Sequence, residues 1–204
     1  MSNNQEAPAL IELQYLPAIS WIRSVAKYPV VYLDAHAHWV KSSYRNRCHI
    51  LGPNGLLRLS VPLERSRNQR TTTGNVRIAY DQDWQKNHWM TLMSCYRRSA
   101  YFEYFEDMFE PLFRKKPETL FEWNMLMLEQ VRKIIPMRTE FRVTEKYHDK
   151  HAAGLIDLRD KIRPGNSSDP GDLPVYNQVF SDRFDFFPDL SVIDWIFNSG
   201  KISL

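Results

Sequence analysis

The chain reads as an α/β protein of one domain, with a small mixed or parallel sheet begun by a βαβ unit and followed by a helical layer. Three observations carry that reading. Residues 28–34, YPVVYLD, form an unbroken apolar run rich in β-branched and aromatic side chains, the pattern of a strand buried on both faces. A loosely alternating segment, residues 9–16, precedes it, and Pro17 between the two is placed to open a short helix. Farther along, Leu120, Trp123, Met127, Leu128, Val131, Ile134 and Ile135 recur at helical spacing and define a core-facing stripe.

Taken in order, the first strand spans residues 9–16, the helix runs to about Lys27, and the apolar run supplies the second strand. Gly52-Pro-Asn-Gly55 marks a turn, and residues 56–63 form a strand whose Pro62 requires an edge or a strand end. Residues 64–74, ERSRNQRTTTG, offer basic and amide side chains without an apolar anchor and read as a loop. A strand at residues 75–80 follows, then a helix from Trp84 to about Arg98 with Asp81 or Asp83 as its cap. Two further helices are expected over residues 101–113 and 119–135, and a strand over residues 139–144. Residues 1–8 and 164–173 are expected to be flexible, the latter for its Ser, Asp, Pro and Gly. The end of the chain, LSVIDWIFNSG, reads as a docking helix capped by Ser191 and stopped by Gly200.

Bulk composition narrows the function classes. A length of 204 residues with 43% apolar and 25% charged side chains suits one ordinary globular domain. A net charge of +3 is too small for a dedicated nucleic-acid or membrane-surface protein, so any preference for anions must be local. No run of about 18 apolar residues occurs, and MSNNQEAPAL lacks the basic start and apolar core of a signal peptide, so a cytoplasmic location without membrane insertion is expected. Cys48 and Cys95 are the two cysteines, and free thiols are expected for both.

The end of the second strand concentrates reactive side chains. Continued as a strand, residues 34–38 would place Asp34, His36 and His38 on one face, a spacing also compatible with a metal held by two imidazoles and a carboxylate. No metal site is assigned, and a strand end whose histidines hydrogen-bond to nearby loops is favoured over one; an intermediate reading has Asp34 orienting one imidazole as a general base, since ligands of open α/β sheets lie beyond the carboxyl ends of the strands. Next, Lys41-Ser-Ser-Tyr44-Arg45-Asn46-Arg47 brings together guanidinium forks and a lysine for phosphate or carboxylate, with hydroxyls and an amide for sugar oxygens. The competing reading sets Arg45 and Arg47 on the solvent side of a strand. On the helix after Asp83, Trp84, His88, Leu92 and Cys95 share one face; His88 is a candidate base, and Cys95 reads as core.

Dinucleotide, P-loop, hydrolase-elbow and zinc-type cysteine motifs are all missing. What the sequence does carry is an ordered set of short matches: Gln14 with the proline and aromatic residues after it, Val30 to Asp34, Lys41 with Tyr44-Arg-Asn-Arg47, Leu59-Ser-Val-Pro62, Asp83-Trp84 with His88, and Tyr96 followed by Ala100-Tyr101-Phe102. Tyr176-Asn-Gln-Val-Phe180 and Leu190-Ser-Val-Ile-Asp194 complete it. In these residues and their spacing the chain resembles the WbqC-like protein family over nearly its whole length. The run Asp34-Ala-His-Ala-His38 departs from the acidic and glutamine residues expected there, and Ala18-Ile-Ser-Trp21 departs from the aromatic and glycine residues expected after the proline.

The resemblance implies a transferase of bacterial surface-glycan (O-antigen-like) biosynthesis, with amino-acyl (glycine) transfer to a sugar amine or hydroxyl as one form of the reaction. Its ligand would be a sugar nucleotide or glycan intermediate. On that reading Gln14, Lys41, Tyr44, Arg45, Asn46 and Arg47 bind substrate, and Asp34, His36, His38 and His88 supply acid–base chemistry. A non-catalytic nucleotide-sugar or protein-binding module in the same pathway is the alternative, and RNA binding ranks below both. Cofactor identity and oligomeric state are left open.

Overall fold

Strand β1 (Ala9–Ile11) and strand β2 (Val30–Leu33) pair in parallel, and helix α1 (Ile19–Val25) is the crossover between them, so the expected βαβ unit is present. The computed structural model describes residues 7–64, 71–149, 154–165, 173–200 and 204. After β2 comes an antiparallel hairpin of β3 (Arg47–Gly52) and β4 (Gly55–Ser60), then helices α2 (Trp84–Tyr96), α3 (Phe102–Phe109) and α4 (Leu120–Ile134). Strands β5 (Glu140–Val143) and β6 (Ile156–Asp157) and helix α5 (Val192–Ser199) complete the order. The main sheet runs β5-β2-β1-β6 with every neighbouring pair parallel. This is an α/β fold with a helical layer.

The two faces of the sheet are covered unequally. Val31 and Leu33 are buried, and Trp21 of α1 stacks on Phe141, the register partner of Val31. Val30 and Tyr32 on the opposite face are only half-buried, and Tyr32 borders an open cleft with its partner Arg142. The expected burial of the second strand on both faces therefore holds for one face alone, because α1 packs on that side.

The helical layer follows local signals closely. Thr119 and Glu122 form a reciprocal capping box at the start of α4, and all the expected stripe residues are buried. The Ser191 hydroxyl accepts the amide hydrogen of Ile193, and Gly200 stops α5 with φ of 71°. Pro111, which lacks an amide hydrogen, divides the expected 101–113 helix: α3 ends at Phe109, and Glu110–Arg114 is a 3₁₀ turn. Asp83 precedes α2 without a side-chain cap, and the amino end of α1 is capped from afar, with Ser20 N and Oγ donating to Asp189 at 2.8 Å each. Residues 75–80 do not form a strand, since Leu63–Ile78 and Arg77–Thr119 are isolated bridges. The loop expected at 64–74 and the flexible segments expected at 1–8 and 164–173 lie partly outside the described residues. Cys48 and Cys95 are free and buried, and burial raises both thiols, Cys95 to about 11.

Candidate functional site

Each of the four parallel strands runs into a polar residue at its carboxyl end: Glu12 after β1, Asp34 after β2, Thr144 after β5 and Asp157 closing β6. Such edges are where open α/β sheets bind ligands. Beyond them lies a cavity of about 570 Å³ bordered by His38, Arg45, Tyr147, Asp157, Arg159, Asp160, Lys161 and Arg163, with Ala37 and Val40 as its apolar part. Among the described residues, four cationic side chains thus face two carboxylates.

Arg159 is the central tie. Its Nη1 donates to Asp34 Oδ2 at 2.7 Å, while Nε and Nη2 fork onto Asp157 at 2.7–3.2 Å. Those bonds leave one hydrogen on each Nη, and the guanidinium lies 6.0 Å from the Tyr147 ring centroid. Burial opposes ionisation of Asp157, yet the Arg159 bonds outweigh it and hold the carboxyl below its usual range. Asp34 is fully buried, and its Oδ1 accepts the amides of His36 and Ala37 at 2.9 and 2.8 Å.

Arg45 and Asp160 make the second tie. Arg45, 1% exposed, donates from Nη1 to Asp160 Oδ1 at 2.8 Å, and Arg163 Nη2 reaches Asp160 Oδ2 at 3.1 Å. Asp160 adopts a left-handed φ of 59°, which aims its carboxylate at both guanidinium groups while its amide donates to Glu12 Oε2 at 2.8 Å. Desolvation pushes the Asp160 carboxyl up, but Arg45 and then Arg163 bring it below the ordinary aspartate value. Burial pushes Glu12 up, against the pull of Arg45 and the Asp160 amide. The Arg45 Nε is buried without a partner at this cavity.

The backbone is fixed locally. Ala35 N donates to Thr144 Oγ1 at 3.2 Å, and the 34–39 loop is stitched to residues 71–74 through Gly74 N to Ala35 O (2.7 Å), Thr73 N to Ala37 O (2.8 Å) and Trp39 N to Thr71 O (2.9 Å). At Gly74 a Cβ would stand 2.9 Å from Ala35 O, so glycine permits this approach. On the other side, Asn124 of α4 donates to Arg45 O at 2.7 Å and holds the 44–46 turn.

Of the residues singled out from sequence, His38 and Arg45 line the cavity and Asp34 stands directly behind Arg159. The strand ends at Leu33, so Asp34, His36 and His38 do not share a strand face as expected. The backbone bends there because Asp34 turns back to accept the His36 and Ala37 amides, and its carboxylate orients Arg159 in place of an imidazole. His36 is half-buried beside this turn, and His38 is exposed, 6.4 Å from the Tyr147 ring. His88 sits apart in the core: its Nδ1 is 3.0 Å from Tyr15 Oη, its ring meets Trp84 edge-on, and burial lowers it to about 4.

The remaining residues do not border this cavity. Gln14, fully buried, donates to Ile162 O and accepts from Ala18 N at 3.3 Å each, bracing β1 against the 158–163 segment. Tyr44 Oη is 3.3 Å from His49 Nδ1, and burial raises its phenol to about 12. Asn46 Nδ2 donates to Val61 O at 3.0 Å. Lys41 is exposed and does not border the cavity. Arg47 opens β3 opposite Ser60, where burial and the neighbouring Arg58 lower its pKa.

Sequence reasoning missed Glu12, Tyr147, Asp157, Arg159, Asp160 and Arg163. One signal for four of them was available: Ile156-Asp-Leu-Arg-Asp160-Lys-Ile-Arg163 sets buried Leu158 and Ile162 among charged residues, the pattern of a segment with one anchored face.

Fold and cavity together define a parallel-sheet α/β protein with a guanidinium-rich site at the carboxyl edge of the sheet. The sequence pattern of the WbqC-like protein family matches residues 14–167, and the chain belongs to that family. The matched span contains every residue bordering the cavity. No curated protein and no solved structure matches the chain. Among the described residues no helix is long and apolar enough to cross a membrane.

Proposed function

We propose that the cavity binds the anionic part of a sugar nucleotide or glycan intermediate, and that the protein is a transferase of bacterial surface-glycan synthesis in the cytoplasm. The observation that carries this reading is the pair of ties Asp34–Arg159–Asp157 and Arg45–Asp160–Arg163, which hold three guanidinium groups at one cavity before any ligand arrives. Guanidinium forks held in this way match phosphate or carboxylate oxygens, and pre-ordering reduces the entropy lost on binding. His38 at the cavity edge serves as the base: its imidazole takes the proton from a sugar amine or hydroxyl as that group attacks an activated acyl carbon, and the leaving group departs with its bonding electrons. Glycine is one such acyl group.

A second reading, a binding module without turnover, is favoured by one feature. Asp157 and Asp160, and Asp34 behind them, are all engaged by guanidinium groups, so among the described lining residues His38 is the one placed to accept a proton. The test is a thermal-shift screen of sugar nucleotides, followed by mass spectrometry of the bound sugar after incubation with amino-acyl esters and thioesters. A stabilising ligand that gains one acyl mass, and fails to gain it with His38→Ala, supports the transferase. Stabilisation without a mass change supports the module, and the absence of any saturable ligand removes both.

A further inference from the structure

Anion binding leaves one member of the cavity at the carboxyl edge of the sheet without a role. Strand β5 ends at Val143, and the chain beyond it stays at that edge: Thr144 Oγ1 accepts the Ala35 amide hydrogen, and Tyr147, three residues on, borders the cavity. Tyr147 is 51% exposed, so its ring adds little to the core. Single exposed aromatics are ordinary on protein surfaces, and this one is set apart by its neighbours.

Two residues of the same cavity lie against its ring. The His38 ring centroid is 6.4 Å away with its plane tilted by 33°, and the Arg159 guanidinium carbon lies over the Tyr147 ring, 6.0 Å from its centroid. Arg159 is itself held by Asp34 and Asp157, so the cation that polarises the ring is fixed in place. A tyrosine ring and a guanidinium plane thus meet at a cavity of about 570 Å³, within the roughly 300–1,000 Å³ of small-molecule sites. Nucleobases stack on aromatic rings and on guanidinium planes alike. A pyranose, by contrast, presents C–H bonds to a ring and gains no stacking from a guanidinium. A nucleoside diphosphate joins a planar base to a pyrophosphate whose oxygens accept hydrogen bonds from guanidinium groups.

We propose that Tyr147 is the stacking platform for the base of a nucleoside diphosphate whose pyrophosphate lies on Arg159 and Arg163. The inference rests on the anion-binding reading of this cavity and names the ligand class within it: a nucleotide-activated sugar, in place of a sugar phosphate or a lipid-linked glycan.

The experiment is calorimetric titration of the full chain with the uridine, thymidine, cytidine, guanosine and adenosine diphosphates, with inorganic pyrophosphate, and with glucose 1-phosphate. At least one nucleoside diphosphate is expected to bind about tenfold or more tighter than pyrophosphate, the advantage that one stacked base supplies. Tyr147→Ala should remove that advantage by weakening the nucleotide and leaving pyrophosphate unchanged, while Tyr147→Phe keeps it, because the ring and not the hydroxyl stacks. The exposed position makes both substitutions mild for folding, and circular dichroism checks this. The proposal is overturned if pyrophosphate binds as tightly as every nucleoside diphosphate, or if Tyr147→Ala weakens nucleotide and pyrophosphate equally or weakens neither; the anion site itself survives each of these results. A Tyr147-dependent affinity for glucose 1-phosphate that exceeds that for the nucleotides gives the ring to a sugar face and also overturns it. Binding of none of the probes removes the anion reading together with the inference.

Discussion

Arg159 Nη1 lies 2.7 Å from Asp34 Oδ2, and this ion pair fastens the carboxyl end of β2 to the turn after β6. The Asp34 side chain is fully buried and that of Arg159 is 8% exposed, so the pair is shielded from solvent and salt. Removing Asp34 also strips the acceptor from the His36 and Ala37 amides. Asp34→Ala should cost about 3 kcal/mol, the low end for breaking a buried pair, because Asp157 still holds the guanidinium. Urea unfolding measures this; Asp34→Asn, which keeps an amide acceptor, should cost less.

Arg163 separates binding from stability. Its side chain is 42% exposed and shares Asp160 with Arg45, so Arg163→Ala should change unfolding free energy by under about 1 kcal/mol. A lost charge-assisted bond to the ligand should nevertheless weaken binding about tenfold or more. Arg45→Ala should do both, since it empties a fully buried position and leaves Asp160 with Arg163 alone. Paired titrations and melts of the two variants check the contrast.

His88 predicts a pH dependence. The unfolded chain accepts a proton on this ring near pH 6.5, whereas burial resists it down to about 4 in the fold. Its folded pKa is depressed, so the stabilising contribution is full above 6.5 and is lost as pH falls through the window toward 4. Between pH 7 and pH 5 this amounts to about 2 kcal/mol. The upward shift of Glu12 acts in the opposite direction and is common to wild type and variant. His88→Gln should flatten the acid slope in urea unfolding; an unchanged slope would contradict the neutral core histidine.

Local pattern made much of the fold legible. Strand β1, helix α1 and strand β2, the α4 stripe and the Ser191 and Gly200 ends of α5 all follow from periodicity and capping. Strand β6 escaped notice because two residues carry no periodicity, and its place beside β1 is a pairing across most of the chain. The site was legible only in part for the same reason. Arg45 could be read as an anion ligand from its own segment, but Asp160, 115 positions away, decides where its guanidinium points. His88 is not legible in the sequence, because a histidine on a helix face looks alike whether it meets a ligand or Tyr15. Arg47 was weighted with Arg45 by proximity, yet the turn from Tyr44–Asn46 into β3 sends it to the hairpin.

The location of the ligand is the point on which most depends, and a ¹H–¹⁵N spectrum of the labelled protein titrated with a stabilising sugar nucleotide measures it directly. Shifts should concentrate at His38, Tyr147, Arg159, Asp160 and Arg163, with Arg47 and His88 unmoved. Saturable shifts centred on the β3–β4 hairpin or on α2, with the carboxyl edge of the sheet silent, would contradict the assignment of the cavity as the site.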